Sequence, residues 1–145
     1  MLYDKSFMIM KIIGDATIKT ISGKIWCDSK KKSLSDLLVE VPENEWDWFI
    51  YEVSAVGEAP RGLTMPYFES LVLESNTGLK LSWSEVKKFA ESLIDLDTCF
   101  LAALSKPVEY SRLESGELAS CFAIINIIDS TTWEIKVYNG MKMFF

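Results

Sequence analysis

Two stretches of the chain, Thr98 to Leu104 and Cys121 to Ile128, are apolar at nearly every position. Successive side chains of a strand point to opposite faces. In the first stretch Cys99, Leu101 and Ala103 therefore fall on one face, and Phe100, Ala102 and Leu104 on the other. In the second, Asn126 alone breaks the pattern. Strands of this kind have to be covered above and below, so they belong in the interior of a sheet. A chain of 145 residues can supply that cover, because it buries roughly two thirds of its unfolded surface. There is no repeat, low-complexity tract or linker, and the expectation is one domain over residues 1–145.

The other elements follow from local pattern. Phe7 to Ile13 reads as a strand closed by Gly14-Asp15, and Ala16 to Cys27 as its hairpin partner. The uneven spacing of Ile18, Ile21 and Ile25 suggests a bulge near Ser22-Gly23. Ser33 and Asp36 have the spacing of a cap on a short helical turn, which Pro42 ends. Trp46 to Val56 is aromatic and β-branched, a strand. Gly57 to Pro66 is a loop, and Tyr67 to Glu74 fits either a strand or a short helix. The clearest element is a helix from Trp83 to about Ile94. Ser82 and Glu85 make its capping box, Leu81 and Val86 its staple, and Val86, Phe89, Ala90 and Leu93 its buried stripe. Glu91 is placed to pair with Lys87 or Lys88. Val108 to Ser120 is a polar connection, and Asp129-Ser130-Thr131 is a turn. In the last strand Trp133, Ile135 and Val137 alternate with Glu134, Lys136 and Tyr138, which gives it one wet face. Met141 to Phe145 is an apolar tail. The fold class is α+β: a mostly antiparallel sheet of about six strands, with one well-capped helix on it.

Several chemistries are closed. The sequence has no histidine, which removes the commonest general base and metal ligand. Cys27, Cys99 and Cys121 are three, with no C-x-x-C pair for zinc and no even count for a closed disulfide set. Cys99 and Cys121 sit in apolar runs as small hydrophobes, which points to a reducing, cytoplasmic setting. Phosphate-binding glycine patterns and calcium loops are absent. No stretch approaches the ~20 apolar residues of a spanning helix, and Phe7 to Ile13, interrupted by Lys11, is too short for a signal peptide. Two carboxylate pairs, Asp95 with Asp97 and Asp129 with Glu134, have the composition of acid–base machinery, yet read as turn and surface acids. The expectation is a protein that is not an enzyme and uses no cofactor or metal.

Charge is the positive clue. The net charge is −6, unevenly spread. Residues 1–39 hold four acids and seven bases, whereas residues 40–134 hold seventeen acids and six bases. An acidic field repels phosphate backbones and attracts cationic surfaces. The one basic run, Lys30-Lys31-Lys32, reads as a solvated loop. Five acids and no base fall between Glu40 and Glu52. If Glu43 to Trp48 is extended, Glu43, Glu45 and Asp47 share one face and Trp46 and Trp48 the other. Acids crowded on one face call for a cation, and tryptophan is enriched at binding hot spots. The plainer role for the tryptophans is core. Glu109, Glu114 and Glu117, in the polar connection, form a second acidic group. These eight residues are the candidate partner-binding set.

The segment Leu81-Ser82-Trp83-Ser84-Glu85-Val86-Lys87-Lys88-Phe89-Ala90, followed by a strand and then by Ile127-Ile128-Asp129-Ser130-Thr131-Thr132-Trp133-Glu134-Ile135, resembles small bacterial immunity proteins of toxin–immunity pairs, including contact-dependent inhibition systems. The resemblance covers about residues 79–138. It implies a cytoplasmic inhibitor that binds one toxin domain, often a nuclease, and blocks it. An acidic inhibitor over a basic cleft is electrostatically sensible. No binding residue carries over from the motif. The other class left open is a small-ligand-binding or regulatory domain, whose aromatics would line a pocket.

Overall fold

In a computed structural model, which describes residues 7–13 and 16–138 (residues 7–13 and 16–18 by backbone alone), the chain opens with a hairpin of β1 (Phe7–Ile13) and β2 (Ala16–Lys24). A small ribbon follows, β3 (Trp26–Cys27) with β4 (Lys30–Lys31). Helix α1 (Leu34–Leu38) starts at Ser33, whose Oγ accepts from the Asp36 backbone N–H at 3.1 Å while the Asp36 carboxylate accepts from the Ser33 N–H at 2.9 Å. Next come β5 (Asp47–Gly57), a 3-10 turn at Pro60–Gly62, α2 (Met65–Glu74), β6 (Leu79–Ser82) and α3 (Trp83–Ser92). The chain ends in β7 (Leu93–Leu104), α4 (Tyr110–Glu114), β8 (Cys121–Ile128) and β9 (Thr132–Tyr138).

The class is α+β. Seven strands form one sheet in the order β1-β2-β9-β8-β7-β5-β6, each neighbour antiparallel. The two doubly apolar strands, β7 and β8, lie inside it. On one face Cys99, Leu101, Ala103, Ile125 and Ile127 join a large core with Trp48, Trp83, Val86, Phe89 and Phe68, beneath α1, α2 and α3. On the other, Ala102, Leu104, Cys121 and Ile124 join Phe49, Tyr51, Leu113 and Tyr138 in a smaller core. The cover there is the strap of residues 105–120, closed at its base by the Ser105 N–H to the Ser120 carbonyl (2.9 Å) and tied to α2's exit by the Tyr110 N–H to the Asn76 carbonyl (2.9 Å).

Helix α3 has the capping box its sequence predicts: Ser82 Oγ accepts from the Glu85 N–H and Glu85 Oε1 from the Ser82 N–H, both at 3.1 Å. It ends at Ser92, earlier than the expected Ile94, because Leu93 is already extended (φ −81°, ψ 138°) and opens β7. No loop separates helix and strand. Gly57, at the end of β5, is what this junction requires. Its φ is +138°, and a Cβ there would stand 2.5 Å from the Ser92 carbonyl oxygen.

Several expectations are corrected. The β2 register runs without a slip from Ile18 to Lys24, so there is no bulge at Ser22-Gly23; the strand stops at Lys24 and the ribbon begins. The loop from Gly57 ends early, since Thr64 caps α2 and Pro66 lies in its first turn, where a missing N–H costs nothing. Tyr67 to Glu74 is helical. β6, a seventh strand, is four residues at a sheet edge. Residues 108–120 are more than a polar connection, because α4 buries Leu113. Tyr138 is buried under the strap instead of on a wet face. The apolar tail from Met141, and Gly14-Asp15, lie outside the described residues.

Candidate functional site

Sequence reasoning puts Glu43, Glu45 and Asp47 on one side of a strand. The structure does not, because Asn44 folds the segment back. Its Oδ1 accepts from the Trp46 N–H and from Trp48 Nε1, both at 3.1 Å, and its Nδ2 donates to the Pro42 carbonyl at 2.9 Å. The strand begins only at Asp47. Trp48 is fully buried, and its ring stacks on Trp83 with centroids 5.3 Å apart. Trp46, half-buried, stacks on Phe122 at 5.2 Å and tilts against Trp48 at 6.1 Å. The two tryptophans therefore belong to a packed row of four rings, Phe122-Trp46-Trp48-Trp83.

The acids beside that row are answered from within the chain. Glu43 Oε1 accepts from Trp83 Nε1 and from Lys87 Nζ, both at 3.1 Å. The Lys87 and Trp83 hydrogen bonds hold its carboxyl below the ordinary range. Lys87 turns to Glu43, not to Glu91, and its ammonium also sits 5.6 Å over the Trp83 ring. Asp47 lies 3.4 Å from Lys80 on β6. The run that looks unanswered in sequence meets cations from α3 and β6. Glu45 is exposed.

The second acidic group is less committed. Arg112 stands between Glu109 (4.0 Å) and Glu117 (3.7 Å), with all three side chains well exposed. Pairs of that length in water hold little energy. Glu114 lies with Glu52 about Tyr110, whose phenol is raised well above its ordinary value by burial first and by Glu52 next. Tyr110 stacks on Tyr51 at 5.1 Å and lies 5.1 Å from Phe100. The sequence does not point to Glu52 as a neighbour of this group, because it comes from β5 and only the strap's docking on that strand brings Tyr110 to it. The two acidic groups pack against opposite faces of the sheet: Glu43 by the large core and α4 by the small one.

Both carboxylate pairs resolve into structure. Asp95 takes Lys31 Nζ at 2.6 Å, and that hydrogen bond lowers its pKa. Lys31 also donates to Ser130 Oγ (3.0 Å), which donates to Asp97 (2.7 Å). Asp129 meets Thr98 Oγ1 at 3.2 Å, and Glu134 lies 3.8 Å from Lys136. These contacts pin the β3-β4 ribbon, the start of β7 and the β8-β9 turn to one another. No charged side chain is buried among the described residues. Cys99 and Cys121 are free, buried thiols, each pushed up to about 12 by burial, so both stay protonated near neutrality. Among the described residues no group of three His, Cys, Asp or Glu could hold a metal ion, and no helix is long and apolar enough to cross a membrane.

Among the described residues, four surface grooves of about 270 to 540 Å³ are open to solvent. None is lined by the Trp46-Trp48-Trp83 row. No protein-family model matches the chain, and neither a curated protein nor a solved structure is significantly similar to it.

Proposed function

We propose that this chain is a non-enzymatic protein-binding module of the immunity-protein kind, acting in the cytoplasm to neutralise a basic bacterial toxin domain. One observation carries this reading. All seventeen acids of residues 40–134 lie at or near the surface, and the six bases of that stretch do not balance them. Such a surface accelerates association with a cationic partner and opposes binding to nucleic acid. The tryptophans support the same reading over a small-ligand pocket, since Trp48 and Trp83 fill space against each other. Among the described residues, the carboxyls with displaced titration, those of Glu43, Glu85 and Asp95, are all lowered by basic partners or hydrogen bonds. A general acid needs the opposite shift.

Of the two acidic groups, Glu109, Glu114 and Glu117 with Glu52 present the more available charge, and Glu45 adds to the other. The test begins with the gene. The C-terminal domain of a large secreted protein encoded directly upstream is expressed, and its binding to the purified chain is measured by calorimetry across a salt series. Expected are tight binding that weakens with salt, because exposed charges are screened beyond ~8 Å at physiological ionic strength, and rescue of cells that express the domain. Charge reversal at Glu109, Glu114 and Glu117 together slows association while thermal stability holds. A domain that fails to bind, or kills cells equally with and without this chain, sinks the proposal.

A further inference from the structure

β5 is 11 residues long, but β6 pairs only with Asp47 to Ile50. From Tyr51 to Gly57 the outer edge of β5 has no strand partner among the described residues. A bare edge offers its N–H and C=O groups to any extended chain, and proteins shield such edges with helices or charges. Here α2 lies alongside, and the Glu69 carboxylate accepts from the Ala55 backbone N–H at 2.9 Å. A side-chain oxygen thus occupies the place of a neighbouring strand's carbonyl.

Between β5 and α2 runs a groove of about 480 Å³, lined by Glu52, Ser54, Glu69 and Leu73 among others. Its charged lining is Glu52 and Glu69, and no Lys or Arg contributes to it. Its wall carries Leu73, 83% exposed; Tyr67 on the same helix and Val56 on the strand are exposed outside the groove itself. Large apolar side chains this open invite a covering surface. Edge, charge and apolar wall together select one occupant.

We propose that the groove between α2 and the unpaired half of β5 docks an extended, Lys- or Arg-bearing segment of a partner protein. A backbone carbonyl of the segment takes over the Ala55 N–H, by strand addition. Glu69, released, pairs with one basic side chain and Glu52 with another, while an apolar side chain between them covers Leu73. The inference rests on the protein-binding reading above and gives that reading a specific contact.

The test is a nuclear magnetic resonance titration of the isotope-labelled chain. The probe is a short, end-blocked peptide alternating lysine and valine; the control alternates glutamate and valine. The expected result is that the lysine peptide shifts the amide signals of Tyr51 to Gly57 and of Leu73, and that the glutamate peptide does not. Leu73→Lys, at a position too exposed to disturb folding, weakens the lysine peptide by roughly tenfold or more, since like charges oppose each other in the groove. Shifts concentrated on α4 and Glu45 overturn the groove but leave the acidic-surface reading standing. Binding of both peptides alike overturns the charge argument and with it the proposal. No shift anywhere with the lysine peptide overturns the groove and counts against the wider reading too.

Discussion

On the helix side of the sheet, Trp48, Trp83, Val86 and Phe89 interlock beneath three helices, and Glu43 and Glu85 are tied to Lys87 and Arg61 on or near α3. On the opposite side a single strap covers β5, β7 and β8 with Leu113, Tyr110 and Val108, and its acids share one exposed arginine. The same two central strands serve both faces, so the difference lies in the cover. Where cover is thick, Glu43 and Glu85 are held by close cations, at 3.1 and 2.9 Å. Where it is thin, charge remains available. The helix side is the scaffold, and on the proposed reading the strap side with the neighbouring β5 edge is where a partner docks.

The hardest blow to this asymmetry is aimed at its centre. Trp48→Ala removes the fully buried middle of the aromatic row and is expected to cost about 3–5 kcal/mol, the range for an aromatic deleted from a core; urea unfolding measures it. Leu113→Ala, the strap's buried anchor, is expected to cost only about 2 kcal/mol, the low end for leucine, because the strap can settle into the gap. A Leu113→Ala loss equal to that of Trp48→Ala would erase the distinction between the faces.

Ser82→Ala is a finer probe of the helix side. It deletes the side-chain half of the α3 capping box and is expected to lower stability by about 1 kcal/mol. No loss would mean that packing alone fixes the start of α3. Acid titration gives the smallest effect. The Glu43 and Glu85 carboxyls are held below their ordinary value of 4.5, chiefly by Lys87 and Arg61. A carboxyl lowered on folding stabilises the fold above its unfolded pKa, and that contribution is lost as pH falls through the lower, folded value. The urea midpoint should therefore fall below about pH 4.5, and Lys87→Met should make the fall shallower. An identical fall in the variant would remove Glu43–Lys87 from the account.

Elements written in local chemistry are legible from sequence. The α3 capping box, the two doubly apolar strands and the Ser33 cap each depend on residues a few positions apart. The misses share a different cause. Lys87 on Glu43 and Lys80 on Asp47 join residues far apart in the chain, so a run of acids without bases looks exposed when its cations come from elsewhere. Tyr138 follows a polar alternation and is buried only because the strap arrives over it. β6 is too short to show a period. The resemblance to immunity proteins rests on a capped helix and a hairpin, both of them local patterns. Glu109, Glu114 and Glu117 stand close together in sequence, whereas Glu52 reaches Tyr110 from a distant strand.

The junction at Leu93 has a further consequence. Because α3 passes into β7 without an intervening residue, the last turn of the helix and the outer end of an interior strand cannot fray separately. Gly57 closes against this same point, which draws the end of β5 into the unit. In hydrogen–deuterium exchange, the amides of Phe89 to Ser92 should therefore share one opening free energy with those of Leu96 to Cys99, where ordinary helix ends exchange well ahead of neighbouring strands. The segment would behave as one cooperative block, and a disturbance felt at the β5 edge would reach the middle of the sheet through it.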